Sequence, residues 1–319
     1  MTATTTKRSA ARRALRWLGL AVILGGGPAW AAPTGSPWGA NYFPNVELVT
    51  QDGAKVRFYD DLLKNKVFAI NFIYTRCTDS CPMETAALRK VARILGDRMG
   101  RDIFFYTISI DGQRDKPEEL KRYAEKFHAG PGWLFLSGRP EDVRLIREKL
   151  GMYRNDGKAE KGLNEHNINL LLGSERAGQW IKRSPFEEPL ALARILGTRL
   201  ATGSVTSLQD PREPSAADQE TPGAKLFRAQ CANCHSLGAD SDLGPGLADV
   251  TRKRDRGWLK RWLKAPDALI RDQDPIALAL FRQYKEIYMP NLKLSDGEVE
   301  TLLQFLESAS PAAPAASTP

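Results

Sequence analysis

The chain has 319 residues, 46 Lys+Arg against 38 Asp+Glu for a formal charge of +8, and four cysteines. Apolar residues make up 42% and charged residues 26%, an ordinary globular composition that excludes a wholly disordered or fibrous protein, and the length is that of two domains rather than one. No stretch approaches the ~20 apolar residues of a membrane-spanning helix, and four cysteines are too few to staple a scaffold, so their spacing is read for chemistry.

Residues 1–31 read as an export signal. Lys7, Arg8, Arg12, Arg13 and Arg16 form a basic region, Trp17 to Leu24 is a short apolar run, and Ala29-Trp30-Ala31 offers a small-x-small cleavage site. Arg12-Arg13-Ala14-Leu15-Arg16 also resembles a twin-arginine signal, and an uncleaved N-terminus would be the one route to membrane association. Either export route leads out of the cytoplasm, here to the periplasm, where thiols tend to be oxidised. Cleavage removes five basic residues and leaves 41 Lys+Arg against 38 Asp+Glu, or +3. So small a charge gives no support for a nucleic-acid partner.

From about residue 41 to 200 the pattern alternates strand and helix. Val67 to Tyr74 is a continuous apolar run, as in a strand buried on both faces. Pro82 to Leu95 reads as a helix with proline in its first turn. Ile103 to Ile110 is a second buried strand. Then come a helix over Pro117 to Phe127, a strand over Trp133 to Leu136 and a helix over Pro140 to Leu150. A hairpin over Ile168–Leu172 and Gln179–Lys182 and a helix over Leu190 to Leu200 close the domain. This order predicts an α/β domain with a mixed sheet. Residues 201–222 lack periodicity and read as a solvated linker. From residue 223 to 308 the period is helical throughout: Ala224 to Ala232, Trp258 to Lys264, Pro275 to Tyr284, and Ser295 to Ser308, the last opened by the capping-box signature Ser295-Asp296-Gly297-Glu298. Residues 309–319 form an Ala/Pro tail.

Cys231-Ala232-Asn233-Cys234-His235 carries the most specific chemistry. Two thiols at this spacing add across the vinyl groups of one covalent haem c, and the adjacent imidazole reaches the iron. A zinc site would need further Cys or His ligands, and none follows His235. Met289 is the only methionine after the motif and the candidate sixth ligand, against the plainer reading of a core methionine beside a turn. Thioether ligation raises the iron potential and favours electron transfer over oxygen chemistry. The segment resembles class I cytochrome c, including Gly244-Pro245 ten residues after the histidine. By that resemblance the Pro245 carbonyl accepts the other ring N–H of His235. Trp258 and Tyr288 pack near the haem or simply in the core.

The second cysteine pair, Cys77 and Cys81, lies between the first buried strand and the next helix, in Tyr74 to Pro82. Cysteines at i and i+4 face the same way as a helix begins, and the helix N-terminus favours thiolate. Two soft thiolates suit Cu(I) or zinc, and a structural disulfide is the plainer alternative. The arrangement resembles the Sco/SenC family over roughly residues 41–200. The resemblance rests on the apolar strand before Cys77, on Pro82, and on the Asp111 to Pro117 stretch, which matches an Asp-x-x-Arg-Asp-x-Pro pattern. It also rests on Asn164-Glu165-His166 ahead of a strand. It departs from the family at Thr78, where many members have proline, and at Glu165, where many have aspartate. The resemblance implies a thioredoxin-like fold, one copper ion held by Cys77, Cys81 and His166, and service to the cytochrome c oxidase subunit that carries Cu(A). Asp111 stays open between a neighbour of the ligands, a surface charge and a loop cap. Of the other two histidines, His235 is taken by the haem and His128 reads as a solvated cation at a helix C-terminus.

Three functions fit. The first is a copper metallochaperone with a built-in electron carrier, exchanging electrons with a periplasmic donor or acceptor. The second is an enzyme, a thiol–disulfide oxidoreductase in which Cys77 and Cys81 cycle between dithiol and disulfide to reduce the client's metal-site cysteines. Its Cys-x-x-x-Cys spacing differs from the usual Cys-x-x-Cys of such reductases. The third, a peroxide-handling or sensor protein, is opposed by Met289, which leaves no free iron position. The first is the reading adopted.

Overall fold

The computed structural model describes residues 1–2, 39–153, 168–201 and 221–309. Residues 3–31 of the export signal, 202–220 of the linker, 310–319 of the Ala/Pro tail and His166 lie outside the described residues, and the end of the expected linker, Thr221 and Pro222, caps and opens a helix.

The sheet grows from its centre. β3 (Val67–Ile73) is buried at every position, and its side chains divide between two apolar clusters. Val67, Ala69 and Ile73 face one cluster, while Phe68, Ile70 and Phe72 face the other. This period of two with both sides apolar is what an interior strand requires. β4 (Ile103–Ser109) runs parallel to it, with Val67 opposite Ile103 and Ile73 opposite Ser109. A parallel pair needs a crossover, supplied by α1 (Ser80–Leu95). β5 (Trp133–Ser137) continues the parallel set. Antiparallel strands close both edges: β1 (Glu47–Thr50) and β2 (Lys55–Arg57) beyond β5, and β6 (Leu170–Ser174) and β7 (Gln179–Arg183) beyond β3. The order is β2-β1-β5-β4-β3-β6-β7. α1, α2 (Pro117–Lys126) and α4 (Pro189–Arg194) cover one face, and α3 (Pro140–Lys149) with a helical turn over Phe58–Leu63 covers the other. Each fully buried Phe or Leu in these layers contributes about 1.5–3 kcal/mol.

The mixed α/β sheet follows the sequence expectation. The β1–β2 hairpin does not appear in the sequence reading, because strands of four and three residues are too short to show a period. The strand read from Ile168 begins at Leu170, where pairing with β3 sets its register (Ile70 opposite Leu171), and Ile168 is left exposed.

The second half is all helical among the described residues: α5 (Pro222–Leu226), α6 (Val250–Lys253), α7 (Arg256–Lys264), α8 (Pro266–Arg271), α9 (Pro275–Gln283) and α10 (Asp296–Ala309). They enclose a core that includes Phe227, Trp258, Leu259, Leu302 and Leu303. The capping box forms: Glu298 N–H donates to Ser295 Oγ at 3.3 Å, and Ser295 N–H to the Glu298 carboxylate at 2.8 Å. α6 and α8, of four and six residues, are absent from the sequence reading. Among the described residues no helix is long and apolar enough to cross a membrane.

Gly132 precedes β5 at φ +78°, and a Cβ there would run into the backbone of Gly100, itself at φ +79°. Gly132→Ala is therefore expected to lower stability by about 2–3 kcal/mol in urea unfolding, from strain and backbone displacement together.

Candidate functional site

The Cys77 loop is held by a buried carboxylate. Asp115 is 1% exposed, and its oxygens accept from Thr75 N–H at 2.9 Å, Thr75 Oγ1 at 2.6 Å and Ser109 Oγ at 2.5 Å. This ties the residues after β3 to the end of β4. Asp111, the carboxylate singled out from the sequence, instead pairs with Arg76 near the surface at 2.9 Å. Asp115 was legible in the same Asp-x-x-Arg-Asp-x-Pro stretch, but sequence does not say which of its two aspartates turns inward.

From Tyr74 the chain turns, Cys77 N–H donating to the Tyr74 carbonyl at 3.1 Å, and α1 starts at Ser80. The helix therefore begins two residues before the expected Pro82 and takes Cys81 into its first turn. The preceding Asp79 makes no side-chain cap. Cys77 Sγ substitutes for it, accepting the Cys81 N–H at 3.5 Å. Both thiols are free and buried, Cys77 4% and Cys81 0% exposed. The Cys77 thiol falls to about 5, because the Cys81 thiol and the Cys81 and Asp79 N–H groups donate to its sulfur and outweigh burial. Cys81 moves the other way, raised by burial and by Cys77.

Glu84 was not found from sequence, although its position three residues beyond Cys81 on α1 is a helical neighbour spacing. It is 1% exposed, and burial raises it to about 8. A polar chain reaches it through the core: Trp133 Nε1 donates to Thr107 Oγ1 at 2.9 Å, Thr107 Oγ1 to Asn71 Oδ1 at 2.8 Å, and Asn71 Nδ2 to Glu84 at 3.4 Å. Among the described residues no cluster of three or more His, Cys, Asp or Glu side chains surrounds Cys77 and Cys81. The donor chemistry, two free thiols with one thiolate-prone, suits a soft monovalent copper ion.

His128 is exposed just past the end of α2, where the sequence reading placed it, and the structure adds two cations facing its ring. It stands at φ +52°, its Nε2 facing Lys285 Nζ at 3.0 Å and its Nδ1 facing Arg89 at 3.3 Å. Desolvation and then the Lys285 charge lower its pKa.

The second site is built on the turn over Phe227–Cys231. Cys234 and His235 N–H groups both donate to the Cys231 carbonyl at 3.0 Å, which puts the three side chains around one cavity. His235 Nδ1 lies 2.9 Å from the Pro245 carbonyl and donates its proton there, so Nε2 is the bare nitrogen. Gly244 leaves room for the ring: a Cβ there would sit 2.6 Å from His235 Cε1. Met289 and Tyr288 line the same cavity, and Trp258 lines its continuation beside Met289. Burial pushes the Cys231 and Cys234 thiols up to about 12. They are thus neutral thiols in an apolar cavity, suited to covalent attachment rather than to a thiolate metal site. A haem would fit this arrangement, with Cys231 and Cys234 to hold it and His235 and Met289 as candidate iron ligands.

Thiolate absorbance in the ultraviolet, taken as the difference between the parent and a Cys77→Ser variant, is expected to appear through about pH 5 in metal-free protein. A midpoint near the ordinary thiol value of about 8.5 would contradict the hydrogen-bonded Cys77 described above.

Residues 38–194 match the family model SCO1/SenC and residues 220–310 match the model Cytochrome c. An SCO2-like protein of Rickettsia conorii is 32% identical over 109 residues, 34% of this chain and 51% of the relative. The sco1 protein of Schizosaccharomyces pombe is 30% identical over 154 residues, 46% of this chain and 57% of the relative. The chain thus spans about half the length of these curated relatives. Among solved structures, the cytochrome c domain of a Pseudomonas putida protein is 43% identical, covering 27% of this chain and 85% of that one with a TM-score of 0.25. The chain joins an SCO1/SenC domain to a C-terminal cytochrome c domain.

Proposed function

We propose that this chain is a periplasmic copper metallochaperone with a built-in electron carrier, serving the Cu(A) subunit of a cytochrome c oxidase. The observation that carries the reading is the free, buried pair in which Cys77 is thiolate-prone and Cys81 lies in the first turn of α1. Cys77 is ionised before any metal arrives, and its sulfur is oriented by the Cys81 N–H. Cys81 keeps its proton until copper displaces it, so the site takes up a soft monocation with release of one proton. His166 is the proposed third ligand. Cys231, Cys234, His235 and Met289 would hold a haem, which would supply one electron at a time, the difference between Cu(II) and Cu(I).

The unequal thiols also support a second reading, a thiol–disulfide oxidoreductase. There Cys77 attacks a client disulfide and Cys81 resolves the mixed disulfide, leaving the client as dithiol and this pair oxidised by two electrons.

His166→Ala separates the two. The chaperone reading expects loss of copper binding, seen by equilibrium dialysis, together with loss of oxidase assembly. Retained assembly in His166→Ala, with loss in Cys77→Ser, would select the reductase. For the electron carrier, the ferrous protein mixed with Cu(II) by stopped flow is expected to lose its reduced haem band at a rate independent of protein concentration. A band that stays reduced would sink the internal transfer.

A further inference from the structure

Both domains lie in one compact unit, residues 35–319, and their contact surface contains a feature unusual for a tethered pair. Arg89, on α1 two turns beyond Cys81, has a side chain only 4% exposed. It donates to both carboxylate oxygens of Asp242 in the cytochrome domain, Nη1 at 2.6 Å and Nη2 at 2.7 Å. Arg93 adds a longer contact to Asp242 at 3.4 Å. A guanidinium leaves water at such a place only if its charge is matched, as this bidentate carboxylate does for Nη1 and Nη2, while Nε is buried with no hydrogen-bond partner.

Asp242 belongs to the loop that orients the iron-ligand candidate. Its N–H donates to the Gly244 carbonyl, and the Gly244 N–H to the Cys234 carbonyl, each at 3.0 Å. The next residue, Leu243, is 2% exposed and packs in the same apolar cluster as Cys77, Cys81 and Leu88. Met83 from α1 lines the haem cavity beside Cys234. A separate cavity has Thr75, Cys77 and Pro82 on one wall and Phe281, Ile287 and Tyr288 of the cytochrome domain on the other. The cytochrome domain therefore forms part of the enclosure over Cys77.

We propose that the Arg89–Asp242 pair is the latch of a reversible dock between the two domains. Latched, it seats the 242–245 loop and Cys234 against α1 and keeps the cytochrome domain walling over Cys77. Released, the tethered cytochrome domain swings away and Cys77 becomes accessible to a client protein. Receipt of electrons and delivery of copper then occur in alternate states of one molecule. The dock stands on the contacts above, and only the identity of the client rests on the proposed function.

The test is the maleimide alkylation rate of Cys77 in the haem-loaded, copper-free full chain, read by peptide mass spectrometry. Asp242→Arg is expected to accelerate it about tenfold or more, since it replaces a hydrogen-bonded pair by like charges. Asp242→Asn is expected to give a smaller acceleration. The exchanged pair Arg89→Asp with Asp242→Arg is expected to return the rate towards that of the parent. Small-angle scattering should show Asp242→Arg alone as the more extended. An unchanged Cys77 rate in Asp242→Arg would overturn the latch, as would equal acceleration in the single and exchanged variants. No readout here involves copper or electron transfer, so failure of the latch and failure of the chaperone reading are distinguishable.

Discussion

A carboxylate with almost no contact with solvent is costly unless donors replace its water. Asp115 is such a group, and its donors come from two different strands' ends, Thr75 after β3 and Ser109 at the end of β4. The parallel ladder extends one bond beyond them, Ile110 N–H to the Ile73 carbonyl at 2.8 Å. The turn that presents Cys77 is thereby fixed to the centre of the sheet rather than left to the loop. The cap that Cys77 sulfur places on α1, the ionisation of that sulfur, and the placement of Cys81 all follow from where this turn is anchored.

Cys77 lies in an electrostatic setting opposite to that of Cys231 and Cys234, and Cys81 goes with the latter. Cys77 meets N–H groups at a helix start and a neighbouring thiol, so its charged form is favoured despite burial. Cys231 and Cys234 sit in an apolar cavity that favours the neutral form. A thiolate at a helix N-terminus suits metal binding or disulfide exchange. A neutral thiol beside a cavity open to a flat ring suits covalent attachment. What separates Cys77 from the other three thiols is the set of hydrogen-bond donors at its sulfur.

Local pattern and side-chain partnering differ in how far sequence reveals them. The β3 run, the Cys231 to His235 motif, the Gly244-Pro245 pair and the capping box at Ser295 are legible because each is defined by residues close together in the chain. Asp115 and Glu84 escape because inward and outward carboxylates look alike until the elements are packed. The cations that face His128 escape for the same reason, since they come from α1 and from Lys285, which is 157 residues away. The β1–β2 hairpin is held by pairing to β5, a long-range fact that seven strand residues cannot announce.

α1 carries Cys81 in its first turn, Glu84 one turn on and Arg89 two turns on. It therefore works as a ruler shared by chemistry and docking. A helix advances about 1.5 Å and turns about 100° per residue. A single insertion or deletion between positions 81 and 89 would leave both functional ends intact in composition, yet would point the guanidinium away from the haem domain. The spacing of eight residues, rather than either residue alone, is thus what a lineage would have to preserve once these two domains had been joined.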